Sequence, residues 1–135
     1  MKRLRVDANV LLRFLTGEPE SLAQRAARLI RRAEAGEVLL VLSPLVVAEM
    51  VWVLKSFYRR SAGEIAEVLI PLFASDGLEV KDREILVGAL ELARDKNVDF
   101  VDAVLALESV RDQETVCSFD ETDFRRLPAT WMSPD

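Results

Sequence analysis

Five apolar residues in succession, Val38-Leu39-Leu40-Val41-Leu42, stand between Gly36 and the pair Ser43-Pro44. The run is far shorter than the ~18 residues that cross a bilayer. It also lacks the alternation of a strand with one wet face, so it reads as a strand buried on both faces of a parallel sheet. Parallel neighbours need long crossovers, usually helical, and the flanking sequence supplies them. Leu4 and Val6 lead into a short strand ending at Asp7. Val10 to Leu15 reads as a short helix stopped by Thr16-Gly17. Pro19 opens a second helix to about Ala35, in which Leu22, Ala26, Leu29, Ile30 and Ala33 recur at helical spacing and Gly36 is the cap.

Ser43 as N-cap, with Pro44 at the first helical position, opens a third helix to about Tyr58. Ser61 and Glu64 have capping-box spacing and open a fourth, which Gly77 ends. Leu78 to Val80 is a strand. Asp82 caps a fifth helix that runs to Lys96 and stops at Asn97, and Asp99 caps a sixth, Phe100 to Arg111. Thr115 to Ser118 is a strand that Phe119-Asp120 leaves, and Ala129 to Met132 is an edge strand. The chain contains no linker, repeat or low-complexity stretch. Its 135 residues therefore describe one α/β domain, residues 1–135, with a central, mostly parallel sheet of about four to five strands and helices on both faces. Open parallel sheets bind ligands beyond the carboxyl ends of their strands, so the residues that follow each strand are the candidates for function.

Composition limits the chemistry available there. The chain has no histidine, which excludes Ser-His-Asp and Cys-His catalysis and the usual zinc sites. Gly17, Gly36, Gly63, Gly77 and Gly88 are too scattered for a dinucleotide fingerprint or a P-loop. The 23 Asp and Glu residues suit hard cations such as Mg²⁺ or Mn²⁺. The net charge of −5 is the wrong sign for a broad nucleic-acid surface, though not for a local basic patch. Arg31-Arg32, Arg59-Arg60 and Arg125-Arg126 are candidates for such a patch, against the plainer reading of solvated helix faces. The single cysteine, Cys117, allows no internal disulfide. Asp7 stands where a secretion signal would continue its apolar stretch. The expectation is a cytoplasmic protein without a membrane segment.

Four acids occupy positions that need explaining. Asp7 follows the first strand and Asp120 the last well-marked one; each alone is equally a cap or turn residue. Glu49 is the only polar residue in the ten from Leu45 to Leu54, so burial is expected, either in a salt bridge to an arginine or at a metal. Asp102 is the only charge from Phe100 to Leu107, with Asp99 one turn earlier on the same face. All four lie at strand exits or early in helices, where one crevice would collect them. Two carboxylates ~4 Å apart repel by about 4 kcal/mol at an effective dielectric of 20. A divalent cation removes that cost.

At these residues the chain resembles the PIN-domain ribonucleases, and within them the VapC-type toxins of prokaryotic toxin–antitoxin pairs. The matching segments are Val6-Asp7-Ala8-Asn9-Val10-Leu11-Leu12-Arg13, Ser43-Pro44-Leu45-Val46-Val47-Ala48-Glu49, Asp99-Phe100-Val101-Asp102-Ala103 and Ser118-Phe119-Asp120-Glu121-Thr122-Asp123-Phe124. They occur in the family's order and span nearly the whole chain. Ala8 departs from the pattern, since the family often has Thr or Ser there. The resemblance implies a Mg²⁺- or Mn²⁺-dependent endoribonuclease in which Asp7, Glu49, Asp102 and Asp120 hold the metal and perform the catalysis. It implies supporting roles for Asn9, Asp99, Ser118 and Asp123, and a phosphate contact for Arg13. It further implies RNA as substrate, a homodimer, and a small antitoxin that blocks the site.

Two other readings use the same acids. A catalytically inactive scaffold of this family would bind a partner only. A receiver-like Mg²⁺-binding signalling domain would need an acidic pair after the first strand and a lysine after a late one. Here Asp7 stands alone, and Lys2, Lys55, Lys81 and Lys96 lie elsewhere. The Asp-x-Asp motif of one large phosphohydrolase class is absent, because its third position is Asn9.

Overall fold

The computed structural model describes residues 1–134. Strands β1 (Lys2–Arg5), β2 (Val38–Leu42) and β3 (Leu78–Val80) form a parallel sheet in that order. Leu4 pairs with Leu40, and Leu40 with Leu78. Successive side chains of a strand face opposite sides. On β2, Leu40 and Leu42 are fully buried on one side and Val41 nearly so on the other. The middle strand is thus covered on both faces, as its unbroken apolar run requires. β1 is an edge strand on which only Leu4 is even half-buried. Arg3 reaches across β2 to Glu79, with Nη2 and Oε2 2.7 Å apart. Both side chains are exposed, so water and salt screen this tie between the outer strands and it contributes little to stability.

β4 (Val116–Cys117) and β5 (Trp131–Met132) pair with each other, also in parallel, as a separate two-stranded sheet. The five expected strands are all present and all parallel, but divided three and two. The last two are shorter than Thr115–Ser118 and Ala129–Met132, because their pairing is confined to a few bonds, such as Val116 N–H to the Thr130 carbonyl and Ser118 N–H to the Met132 carbonyl.

Seven helices connect the strands among the described residues: α1 (Ala8–Thr16), α2 (Glu20–Glu34), α3 (Pro44–Ser56), α4 (Ala62–Phe73), α5 (Arg83–Lys96), α6 (Phe100–Asp112) and the single turn α7 (Glu121–Phe124). Ser43 caps α3, and Ser61 with Glu64 closes a complete capping box on α4. Two local expectations fail. Asp82 stands at the N-cap of α5 in the left-handed region and makes no capping bond; its carboxylate lies 3.5 Å from Arg111 instead. Gly77 does not end α4, which stops at Phe73. Gly77 turns the chain into β3 with φ +81°, and its carbonyl accepts the Leu40 N–H at 2.8 Å. Gly36 caps α2 as expected: it follows Ala35 with φ +82° and closes a Schellman motif, its N–H bonding the Ala33 carbonyl and the Glu37 N–H the Arg32 carbonyl, each at 3.0 Å.

The core is one continuous apolar cluster in which Leu11, Leu40, Met50, Leu69, Phe73 and Leu90 are almost wholly buried. Among the described residues, no helix is long and apolar enough to cross a membrane. Because β1, β2 and β3 run in parallel, they end at one edge of the sheet. There Asp7 opens α1 and Ser43 opens α3.

Candidate metal centre

Two helix starts gather the acids. Asp99 caps α6, its Oδ2 accepting the Asp102 N–H at 3.1 Å. Asp120 caps α7, its Oδ1 accepting the Asp123 N–H at 3.0 Å. Short polar side chains satisfy the free N–H groups of a first turn in this way. A further bond joins the two turns, as Asp123 Oδ2 accepts the Asp99 N–H at 3.0 Å. Ser118 Oγ accepts the Asp120 N–H at 2.9 Å. Ser118, Asp120, Asp123, Asp99 and Asp102 therefore form one relay in which each side chain but the last holds the backbone of the next acid.

Asp102, Asp120 and Asp123 each place an oxygen within 4.8 Å of the other two. None of the ion pairs among the described residues involves these three. Asp102 bears the consequence. Burial, then a hydrogen bond with the Asp123 side chain, then the charges of Asp99, Asp123 and Asp120 push its pKa from 3.8 to about 6. Asp102 stands in the first turn of α6, whose dipole offsets only part of such repulsion. Three adjoining carboxylates without a counter-charge are a donor set that fits Mg²⁺ or Mn²⁺.

The structure brings two of the four expected acids, Asp102 and Asp120, into this trio. The third member is Asp123, which the resemblance placed only in support; Asp99 and Ser118 do the supporting. Asp7 and Glu49 are not members. Asp7 is exposed and caps α1, its Oδ1 3.3 Å from the Val10 N.

Glu49 overturns the expectation of burial, because it is exposed. Val47, Met50, Val51 and Leu54 point α3 into the core, while Leu45, Glu49 and Trp52 share the opposite face at i, i+4 and i+7. That face is open enough to leave Leu45 81% and Trp52 67% exposed. An apolar neighbourhood in the sequence was therefore no sign of a buried carboxylate.

Asn9 and Arg13 lie with Asp7 along a groove between α1 and α2 of about 450 Å³. Val10, Leu22, Ala26 and Leu29 give it an apolar lining, and Arg25 contributes a second cation. Arg13 donates from Nη1 to the Glu18 carbonyl at 3.3 Å. Arg25 escaped the sequence reading. Its signal was that Leu22, Arg25, Ala26 and Leu29 fall on one face of α2. A cavity of about 460 Å³ bounded by Leu15, Leu54, Tyr58, Arg60 and Ile65 includes none of the trio. The three arginine pairs stay on solvated faces, where Arg32 meets Glu37, Arg60 meets Glu64 and Arg125 meets Glu121.

Residues 5–129 match the family profile of the PIN domain. Among solved structures, the chain is similar to one of VapBC2 from Rickettsia felis bound to a DNA fragment from their promoter, with 16% identity over 100% of both chains and a TM-score of 0.37. No curated protein matches it.

Proposed function

The chain belongs to the PIN domain family, and we propose that it is a Mg²⁺- or Mn²⁺-dependent endoribonuclease, the toxin of a toxin–antitoxin pair. The observation that carries this reading is the trio Asp102, Asp120 and Asp123 with no cation of its own, on a chain that carries all four family motifs in order. These three acids would hold the metal, with Asp7 and Glu49 as further ligands from the edge where β1 and β2 end. A divalent cation bound there supplies a more acidic water and charge stabilisation at the leaving oxygen of a phosphodiester. The chain's own residues do the positioning. Asp99 and Ser118 fix the acids through backbone N–H groups, Arg13 binds a phosphate, and Asn9 offers an amide beside Asp7. RNA as substrate, the cytoplasm as its place of action, a second copy of the chain and a small antitoxin as partners follow the family resemblance of the motifs.

The test is cleavage by the purified protein. RNA incubated with Mn²⁺ should be cut, while EDTA or Asp102→Asn should abolish cutting. Intact RNA in the presence of metal refutes the nuclease reading, and cleavage of single-stranded DNA alone replaces RNA as substrate. Expression alone should arrest growth, and co-expression with a short adjacent reading frame should relieve it. Harmless expression of a protein that cuts RNA in vitro removes the toxin assignment and leaves the nuclease.

A further inference from the structure

We infer that the groove between α1 and α2 holds the nucleotide next to the cleaved bond, with its phosphate between Arg13 and Arg25 and its base against Leu22, Val10 and Leu29. The inference rests on the nuclease reading and names where that site's substrate lies. The groove runs between two helices. α1 contributes Asn9, Val10 and Arg13, with Asp7 at its start, and α2 contributes Leu22, Arg25, Ala26 and Leu29. Its volume, about 450 Å³, is in the range of small-ligand sites.

Charge selects the occupant. Arg25 is exposed and has no ion-pair partner among the described residues. What sets it apart is its place: an unpaired guanidinium facing a groove is suited to an external anion. Arg13 is half-buried, and its bond to the Glu18 carbonyl aims the guanidinium without neutralising it. Asp7, at the other end of the groove, belongs with the proposed metal ligands. A strand with phosphates at intervals would thus meet the metal at one end and two arginines along the wall. The lining contains no aromatic ring, so bases would pack without strong stacking and base identity would count little in this subsite.

The test uses the full-length protein with Mn²⁺ and a short 5′-labelled oligouridylate. For cleavage, Arg25→Ala should raise KM about tenfold, the scale of one charge-assisted contact, and leave kcat nearly unchanged. For binding, measured in an Asp102→Asn background, Arg25→Ala should lower the slope of log K against log salt by about 0.7, the loss of one phosphate contact on a single strand. Arg25→Lys should restore the slope. Equal KM and slope in Arg25→Ala and the wild type overturn the inference while the wild type still cuts RNA, so the nuclease reading survives its failure. A polyglutamate peptide that binds through Arg25 more tightly than the oligouridylate overturns it too, assigning the groove to an acidic protein segment.

Discussion

Asp102 shows how one side chain links stability, pH and metal. Without a cation its pKa is raised from 3.8 to about 6, burial being the first cause. An acid with a higher pKa in the folded state favours folding most where both states hold the proton. That stability is fully present below about pH 3.8 and is lost as pH rises through about 6. The metal-free protein should therefore gain less from Asp102→Asn at pH 4 than at pH 8, where the wild type carries the clustered charges and the variant one fewer. Melting temperatures at the two pH values decide it; an equal change at both means that Asp102 does not feel its neighbours. Mn²⁺ should reverse the order at pH 8, raising the melting temperature of the wild type more than that of the variant, because a ligand of the native state adds RT ln(1 + [L]/Kd). In cleavage, the same substitution should cost at least about a hundredfold in kcat.

At the scale of elements, sequence showed most where one local rule decided the outcome. The run from Val38 to Leu42 gave the buried strand to the residue, and Ser43-Pro44 and Ser61-x-x-Glu64 gave the starts of α3 and α4. It showed least where tertiary contact overrode the local signal. Asp82 turned from cap to partner of Arg111, and Glu49 sat in an apolar sequence yet outside the core. The acidic trio was half legible, since Asp102 stood out by its apolar neighbours while Asp123 resembled any turn residue until α7 placed it. Gly77 was recognised as a breaker, but its reason was out of reach. A Cβ there would lie 2.3 Å from the Ala33 carbonyl oxygen, on the helix that packs beside the sheet, in a backbone of φ +81°. Gly17 has a similar φ of +73° with nothing within 4 Å. Gly17→Ala should therefore cost only the left-handed conformation, about 1 kcal/mol. Gly77→Ala should cost that plus the displacement of α2 or β3, more than about 2 kcal/mol in all. Urea unfolding of the two variants separates the terms, and equal midpoints would mean that the contact with Ala33 is relaxed without cost.

At the scale of the whole molecule, α3 carries one of the exposed apolar surfaces of the fold. Val47, Met50, Val51 and Leu54 of α3 are in the core, yet Leu45 and Trp52 stand 81% and 67% exposed on one face of that helix. Large apolar groups grouped on a surface mark contact with another protein more often than chance, and the homodimer expected from the family resemblance supplies an occupant of matching apolar character. A twofold contact uses the same patch on both copies, so a single substitution acts twice. Trp52→Glu should convert a dimer to a monomer in analytical ultracentrifugation without changing the far-ultraviolet spectrum. Glu49 shares the face, which sets its two proposed surroundings, metal and partner, against each other. If Glu49 is a metal ligand, Glu49→Gln should reduce the Mn²⁺-induced rise in melting temperature and keep the dimer, while Trp52→Glu should keep the rise and lose the dimer. A Glu49→Gln protein that keeps the full metal response places Glu49 in the interface alone. A wild type that sediments as a monomer over a wide concentration range removes α3 as a self-association surface and leaves Leu45 and Trp52 to a different partner.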